Sequence, residues 1–320
     1  MTNPVQAASW KLDPGAIYSD VYQKRIDDRP VVEIADLERA RVSGGKLDFD
    51  SSEQAAKSLR DGVFLLEIPS DIDIAACDLF ARQFFRGPNV EPYGQFREFT
   101  PDSFEDPLLG FHERINQIEQ FLLERRFWHG IYPPEISRCA ENLTSTARLV
   151  LRGILQMAGI PQALWPIATG GCSDGNGSYH LTFNHYRPSV AGIGLSSHKD
   201  DGFMTILRTT EPGLEVNRND RWEGVSVDPG FFVVNFGLSM EVLTRNCKQP
   251  VAAIMHRVRH QETDRFSFGH FSSSYCEPGA AAGIFSYELE GNLRHICSSR
   301  ELIDANDAEI YFGTRRPEGQ

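Results

Sequence analysis

The sequence holds 320 residues, a length that allows one large domain or two small ones. Its 41% hydrophobic and 24% charged content are those of an ordinary soluble globular protein with ample material for a core. A formal net charge of −12 argues against a nucleic-acid or anionic-membrane partner, since either would call for a basic face.

The N-terminal stretch MTNPVQAASWKLDPG has no basic segment ahead of an apolar run and does not read as a signal peptide. No apolar run approaches the roughly 20 residues needed to span a bilayer. Six cysteines (Cys77, Cys139, Cys172, Cys247, Cys276, Cys297) are scattered with no C-x-x-C spacing, and are expected as reduced structural thiols in a cytoplasm. Asn142 opens an N-x-T sequon, but inside a helical pattern, so chance explains it best.

In chain order, the first 50 residues are polar and irregular, with RPVVEIADL as a first strand. SSEQAAKSLRDG reads as a short helix ended by Gly62, and VFLLEIP as a strand stopped by Pro69. DIDIAACDLFARQFFRG carries apolar residues at helical spacing and closes on Gly87. From Asn89 to about Pro134 the pattern is mixed and resists assignment. The segment from Pro133 to Ile160 predicts a long amphipathic helix, with Pro134 at its start and Gly159 at its end. After about Ser178 short β-branched and aromatic runs follow one another, separated by Gly, Pro, Asn or Asp. That pattern predicts a sandwich or barrel such as a jelly roll. A helical layer packed on one sheet would make residues 1–320 one domain: a mixed N-terminal portion over 1–177, a barrel core over 178–285 and a C-terminal segment over 286–320.

Between two of these runs lies GLSSHKDDGFMTIL, Gly194 to Leu207. Alone, it also fits a polar turn. On a strand, residues i and i+2 project to one face, so His198 and Asp200 would point together and Asp201 away, toward a turn or the surface. The candidate for a third ligand is His256, which ends the apolar run of AAIMHRV. Two histidines and one carboxylate on one side of a metal suit non-haem Fe(II) oxygen chemistry. The chain has nine histidines, however, and His180, His185, His260 and His270 compete for that place. Downstream, Arg265 and Ser267 again stand at i and i+2. Aimed into a barrel, they would make a carboxylate site; on an edge strand, Arg265 would be a surface cation.

H-x-D at 198–200, MHRV around His256 and R-x-S at 265–267 together resemble the isopenicillin N synthase-like family of Fe(II)/2-oxoglutarate-dependent oxygenases. NHYRP, from Asn184 to Pro188, and GVFLLEIP, from Gly62, resemble it as well. The resemblance covers roughly residues 30 to 285, loosely over 89–170. It implies a mainly β fold with N-terminal helices, the double-stranded β-helix or distorted jelly roll. It implies His198, Asp200 and His256 as ligands of Fe(II), and Arg265 and Ser267 as the grip on the distal carboxylate of the co-substrate 2-oxoglutarate. Tyr186 would add a hydrogen bond to the co-substrate, with Asn184 a weaker carry-over.

With O2 as the second co-substrate, the resemblance implies oxidation of a small metabolite with release of succinate and CO2: hydroxylation, desaturation, cyclisation or ring expansion. Asp200 speaks against halogenation, for which related enzymes carry a small residue in its place. Tyr93, Arg97, Phe99 and Phe183 are candidate substrate contacts. A 2-oxoglutarate-independent Fe(II) oxidase of the same family, a non-catalytic jelly-roll binding protein and a metal-dependent hydrolase are the competing readings.

Overall fold

A computed structural model describes residues 27–311. The N-terminal stretch considered above for targeting signals, and the end of the C-terminal segment, lie outside the described residues.

The chain begins with three short strands, β1 (Glu33–Ile34), β2 (Arg39–Ser43) and β3 (Lys46–Phe49). Helix α1 (Ser52–Asp61) starts where Ser51 Oγ accepts the Gln54 N–H at 3.2 Å, satisfying one of the orphan donors of the first turn. It stops at Gly62, whose φ of 76° closes the last turn. The backbone of Ala252 crosses so near Gly62 that a Cβ there would meet Ala252 O at 2.6 Å. Next come β4 (Val63–Glu67) and α2 (Ala75–Ala81). The segment that resisted assignment from sequence contains β5 (Gly110–Glu113), β6 (Ile118–Glu124) and α3 (Arg125–Ile131). Helix α4 (Pro134–Ala158) follows with Pro134 at its first turn and Gly159 at φ 81° beyond its last. A short α5 (Trp165–Ala168) leads into the strand-rich half.

That half runs β7 (Ser178–Tyr186), β8 (Leu195–His198), β9 (Met204–Thr209), β10 (Leu214–Arg218), β11 (Arg221–Gly224) and β12 (Phe231–Phe236). It continues with α6 (Leu238–Thr244), β13 (Met255–Val258), β14 (Arg265–Ser273), β15 (Gly283–Tyr287), β16 (Leu293–Ser298) and α7 (Ser299–Tyr311). Among the described residues, one sheet has the order β3-β2-β4-β12-β9-β14-β7-β6-β5, a second the order β1-β11-β10-β13-β8, and β15-β16 forms a hairpin. The alternation of neighbouring strands between the two larger sheets is that of a jelly roll. Sequence placed the barrel after residue 178, yet β2–β6 extend its larger sheet on both flanks. The nine-residue β7 pairs with β14 along its whole length and with β6 over seven residues.

The side-chain period of two explains how one sheet serves two surroundings. Along β7, Tyr179, Leu181 and Phe183 belong to the main core, whereas His180, Thr182, Asn184 and Tyr186 line a cavity. Along β14, Phe266 and Phe268 are core residues, while Arg265, Ser267, Phe271 and Ser273 face the cavity. Helices α2 and α4 cover the core face. Phe80 of α2 lies 4.3 Å from Phe183, ring centroid to centroid, and Thr144 of α4 meets His270 Nε2 at 2.9 Å. The opposite face, closed by the second sheet and α7, holds the polar groups.

Candidate metal centre and co-substrate pocket

His198 is the last residue of β8, and His256 is its direct cross-strand partner on β13. Their rings lie 4.3 Å apart, and Nε2 of each stands 3.6 Å from Asp200 Oδ1. One ligand atom from each residue falls within 4.8 Å of the others, and all three side chains are buried. Among the described residues this is the one such trio of His, Cys, Asp or Glu. His198 Nδ1 donates to Ser196 O at 2.8 Å, and His256 Nδ1 faces Ile254 O at 3.4 Å. Those carbonyls set the tautomer that leaves Nε2 bare, the form a metal ligand needs. Thr205 Oγ1 donates to Asp200 Oδ2 at 2.6 Å, which turns Oδ1 toward the imidazoles. Burial opposes the Asp200 anion, but the facing imidazoles and Thr205 outweigh it and hold the carboxyl below its ordinary range. Burial lowers His256 to about 4, so it stands neutral. Two imidazoles and one carboxylate, fixed from behind, fit a divalent transition metal such as Fe(II).

The competing histidines are placed elsewhere. His185 lies between Glu119 and Asp264, His270 bonds Thr144, and His260 faces Gly192 O. His180 lines the cavity outside the trio.

Arg265 and Ser267 share the same cavity, as their spacing on a strand requires. Arg265 is 1% exposed; its Nε donates to Pro212 O and one terminal nitrogen to Thr209 Oγ1, both at 3.0 Å. No carboxylate of the described residues forms an ion pair with it. A buried guanidinium without an acid partner calls for an anion, so the pocket fits a dicarboxylate co-substrate. Tyr186 stands opposite Arg265 in the β7–β14 register, its ring 4.8 Å from the guanidinium carbon. Asn184 Nδ2 donates to Ser267 Oγ at 3.2 Å, and Gln120 Nε2 donates to Asn184 Oδ1 at 3.0 Å. Asn184 thus orients the serine.

Several placements differ from the expectations. Strand β8 ends at His198, so Asp200 lies on the loop beyond it. The i, i+2 rule therefore does not govern Asp201, which lines the cavity instead of facing a surface turn. Leu238 N–H donates to Asp200 O and Ser239 N–H to Asp201 O, so α6 holds this loop in place. Burial, then the charge of Asp200, push Asp201 up to about 6.

None of Tyr93, Arg97, Phe99 and Phe183 lines the cavity. Tyr93 is buried and donates to Glu135 at 2.8 Å; Phe99 packs against the main core. Arg97 is largely exposed and donates to Phe85 O at 3.1 Å. Phe183 is in the core because Tyr186 and Asn184 face the cavity, and an odd-numbered neighbour on that strand must face the other way. The same parity, applied to Tyr186, points to Thr182 and His180 as lining residues. Thr205, Asn235 and the α7 wall carry no local sequence signal.

Residues 178–274, which carry Asn184, Tyr186, His198, Asp200, His256, Arg265 and Ser267, match the family model of the 2OG-Fe(II) oxygenase superfamily. The match is to just under a third of the chain, the part that carries the candidate metal and co-substrate residues. It is 32% identical over 200 residues to 2-oxoglutarate-dependent dioxygenase 21, chloroplastic, of Oryza sativa subsp. japonica, a match covering 59% of this chain and 53% of that protein. It is 40% identical over 83 residues to gibberellin 3-beta-dioxygenase 2-3 of Triticum aestivum, covering 25% of this chain and 22% of that one. The matches thus span about half the length of the first relative and less of the second. The crystal structure of JOX2 in complex with 2OG, Fe and JA superposes with a TM-score of 0.60 at 20% identity, over 86% of this chain and 88% of that one. This chain therefore shares the fold of that structure, and its own sheets are those of a jelly roll. No described helix is long and apolar enough to cross a membrane.

Proposed function

We propose that this protein is a member of the 2OG-Fe(II) oxygenase superfamily, a non-haem Fe(II)- and 2-oxoglutarate-dependent dioxygenase acting on a small metabolite. The observation that carries the reading is one cavity holding both the His198, Asp200, His256 trio and the buried, acid-free guanidinium of Arg265. His198, Asp200 and His256 would hold Fe(II). When bound, iron and 2-oxoglutarate supply the oxidising power, through reduction of O2 coupled to release of succinate and CO2. Arg265 grips the distal carboxylate, Ser267 and Tyr186 hydrogen-bond it, and Asn184 fixes the serine. Thr205 holds Asp200 in its ligating orientation. The apolar walls at Leu122, Leu207 and Phe271 keep water from the reacting C–H bond. The presence of Asp200 favours hydroxylation, desaturation or cyclisation over halogenation. Residues 27–311 act as one oxygenase unit in this reading, and six free cysteines suit a cytoplasmic setting.

The test is O2 uptake and succinate formation by the Fe(II)-loaded protein with a panel of small metabolites, with and without 2-oxoglutarate. Succinate at one equivalent per oxidised product is expected. Turnover that needs Fe(II) and O2 but not 2-oxoglutarate would replace this reading with an Fe(II) oxidase of the same superfamily. Turnover without O2 would replace it with a hydrolase.

A further inference from the structure

Three cavity residues stand in a row across three strands. Gln120 of β6 is the cross-strand partner of Asn184 on β7, and Asn184 is the partner of Ser267 on β14. Directly paired side chains on one face of a sheet meet each other, so the register alone brings these three into contact. Arg114, just past the end of β5, adds a fourth member. All four line the cavity, and the three strand residues are buried.

The hydrogen bonds along the row run in one direction. Arg114 Nε donates to Gln120 Oε1 at 3.0 Å, Gln120 Nε2 to Asn184 Oδ1 at 3.0 Å, and Asn184 Nδ2 to Ser267 Oγ at 3.2 Å. An amide can face either way, but a guanidinium can only donate. Arg114 therefore turns the oxygen of Gln120 toward itself and the nitrogen toward Asn184. Asn184 is turned in the same sense, and its nitrogen faces the serine. Ser267 accepts at that point and keeps its one hydroxyl proton for another neighbour. On its other flank, Thr209 of β9 already donates to Glu211 O at 2.8 Å and accepts from Arg265 at 3.0 Å. Reversed, Asn184 would present its oxygen and take the serine proton. The serine would then show only lone pairs to a carboxylate, an acceptor against an acceptor.

We propose that Arg114 and Gln120 are positioning residues for the co-substrate: through Asn184 they fix the hydroxyl of Ser267 as a donor to the distal carboxylate held by Arg265. The relay begins at the wall where Arg114 lies 3.8 Å from Asp307 of α7, and it ends at the co-substrate grip. This inference rests on the function proposed above, because that function supplies the carboxylate to which the serine donates.

The experiment uses the Fe(II)-loaded protein under anaerobic conditions and follows 2-oxoglutarate binding by the visible charge-transfer absorption of its iron chelate. Gln120→Leu breaks the relay at its middle with little change of volume. It is expected to raise the 2-oxoglutarate dissociation constant about three- to tenfold, the range for a neutral hydrogen bond. Gln120→Glu should raise it at least as much, because a carboxylate beside Arg114 cannot donate to Asn184 and lets that amide turn its oxygen to the serine. In a Ser267→Ala background, either Gln120 substitution should change the constant less than about twofold, since the hydroxyl through which it acts is gone. Binding of 2-oxopentanoate, which has a methyl group where 2-oxoglutarate has its distal carboxylate, should be alike in all these proteins.

A constant unmoved in both Gln120 variants, the same factor with and without the serine, or an equal loss of 2-oxopentanoate binding would overturn the inference. If Gln120→Leu fails to fold, Gln120→Glu in the two serine backgrounds decides by the same comparison. Absence of the chelate absorption in the unsubstituted protein would overturn the iron and 2-oxoglutarate reading and the relay with it. A normal chelate with unmoved Gln120 variants would overturn the relay alone.

Discussion

His198 and His256 are paired residue to residue across β8 and β13, and the β13–β8 register shifts immediately past that pair. The pairing brings both imidazoles to one face, and the shift ends the regular ladder at the cavity. Asp200 completes the trio from outside the sheet, so its orientation depends on Thr205. Asp200→Ala should abolish stoichiometric Fe(II) binding in an anaerobic titration, while Asp201→Ala should keep it. Thr205→Val should weaken Fe(II) binding by about 10- to 100-fold, the usual effect of losing a hydrogen bond behind a metal ligand. Unaltered affinity in Thr205→Val would show that Asp200 is held by the backbone of its loop instead.

Arg265→Ala should raise the apparent 2-oxoglutarate constant about tenfold to a hundredfold or more, since a charge-assisted bond contributes about 1.5–3 kcal/mol. Lysine should restore only part, because it lacks the planar fork that also reaches Pro212 O and Thr209 Oγ1. Asn184→Ala should act on the same constant more weakly, through Ser267. Titration with 2-oxoglutarate measures all three, and a constant unchanged in Arg265→Ala would favour an oxidase that does without this co-substrate.

Phe183→Ala separates packing from substrate contact. The ring is fully buried between Phe80 and Phe268, at 4.3 and 5.7 Å, so its removal should cost about 3–5 kcal/mol of stability. Chemical denaturation measures this loss. The 2-oxoglutarate constant of the folded variant should move less than twofold. A large change in that constant without loss of stability would place the ring at the cavity.

Acid should unfold the protein through buried neutral histidines. Burial pushes His270 down to about 3 and His180 down to about 4, against an ordinary value near 6.5. The unfolded chain takes up these protons below about pH 6.5, and the folded protein does so only near pH 3–4. The stabilisation from the neutral rings is therefore complete above pH 6.5 and is lost as pH falls toward 4. Each ring contributes a slope of up to about 1.4 kcal/mol per pH unit in that window. Denaturation at pH 7.5, 6.0 and 5.0 should show this fall, and His270→Gln should flatten it. An identical slope in His270→Gln would assign the acid sensitivity to other groups.

Much of this protein was legible one segment at a time. Ser51 and Gly62 bracket α1, and Pro134 and Gly159 bracket α4, because caps act within a turn of the chain. Arg265 and Ser267 share a face because a strand repeats every two residues, and the same rule would have sent Phe183 to the core. These are local consequences of backbone geometry, which sequence determines without help from the rest of the chain. Tertiary structure decided what depends on distant partners. β8 stops at His198, so only the contacts of the next loop with α6 set where Asp200 and Asp201 go. β6 is a strand because β7 offers it a full row of partners, which its own mixed pattern did not disclose. The Arg114–Asp307 contact joins residues nearly 200 positions apart. Charge balance in a cavity is a sum over every wall, and no stretch of sequence carries more than one wall.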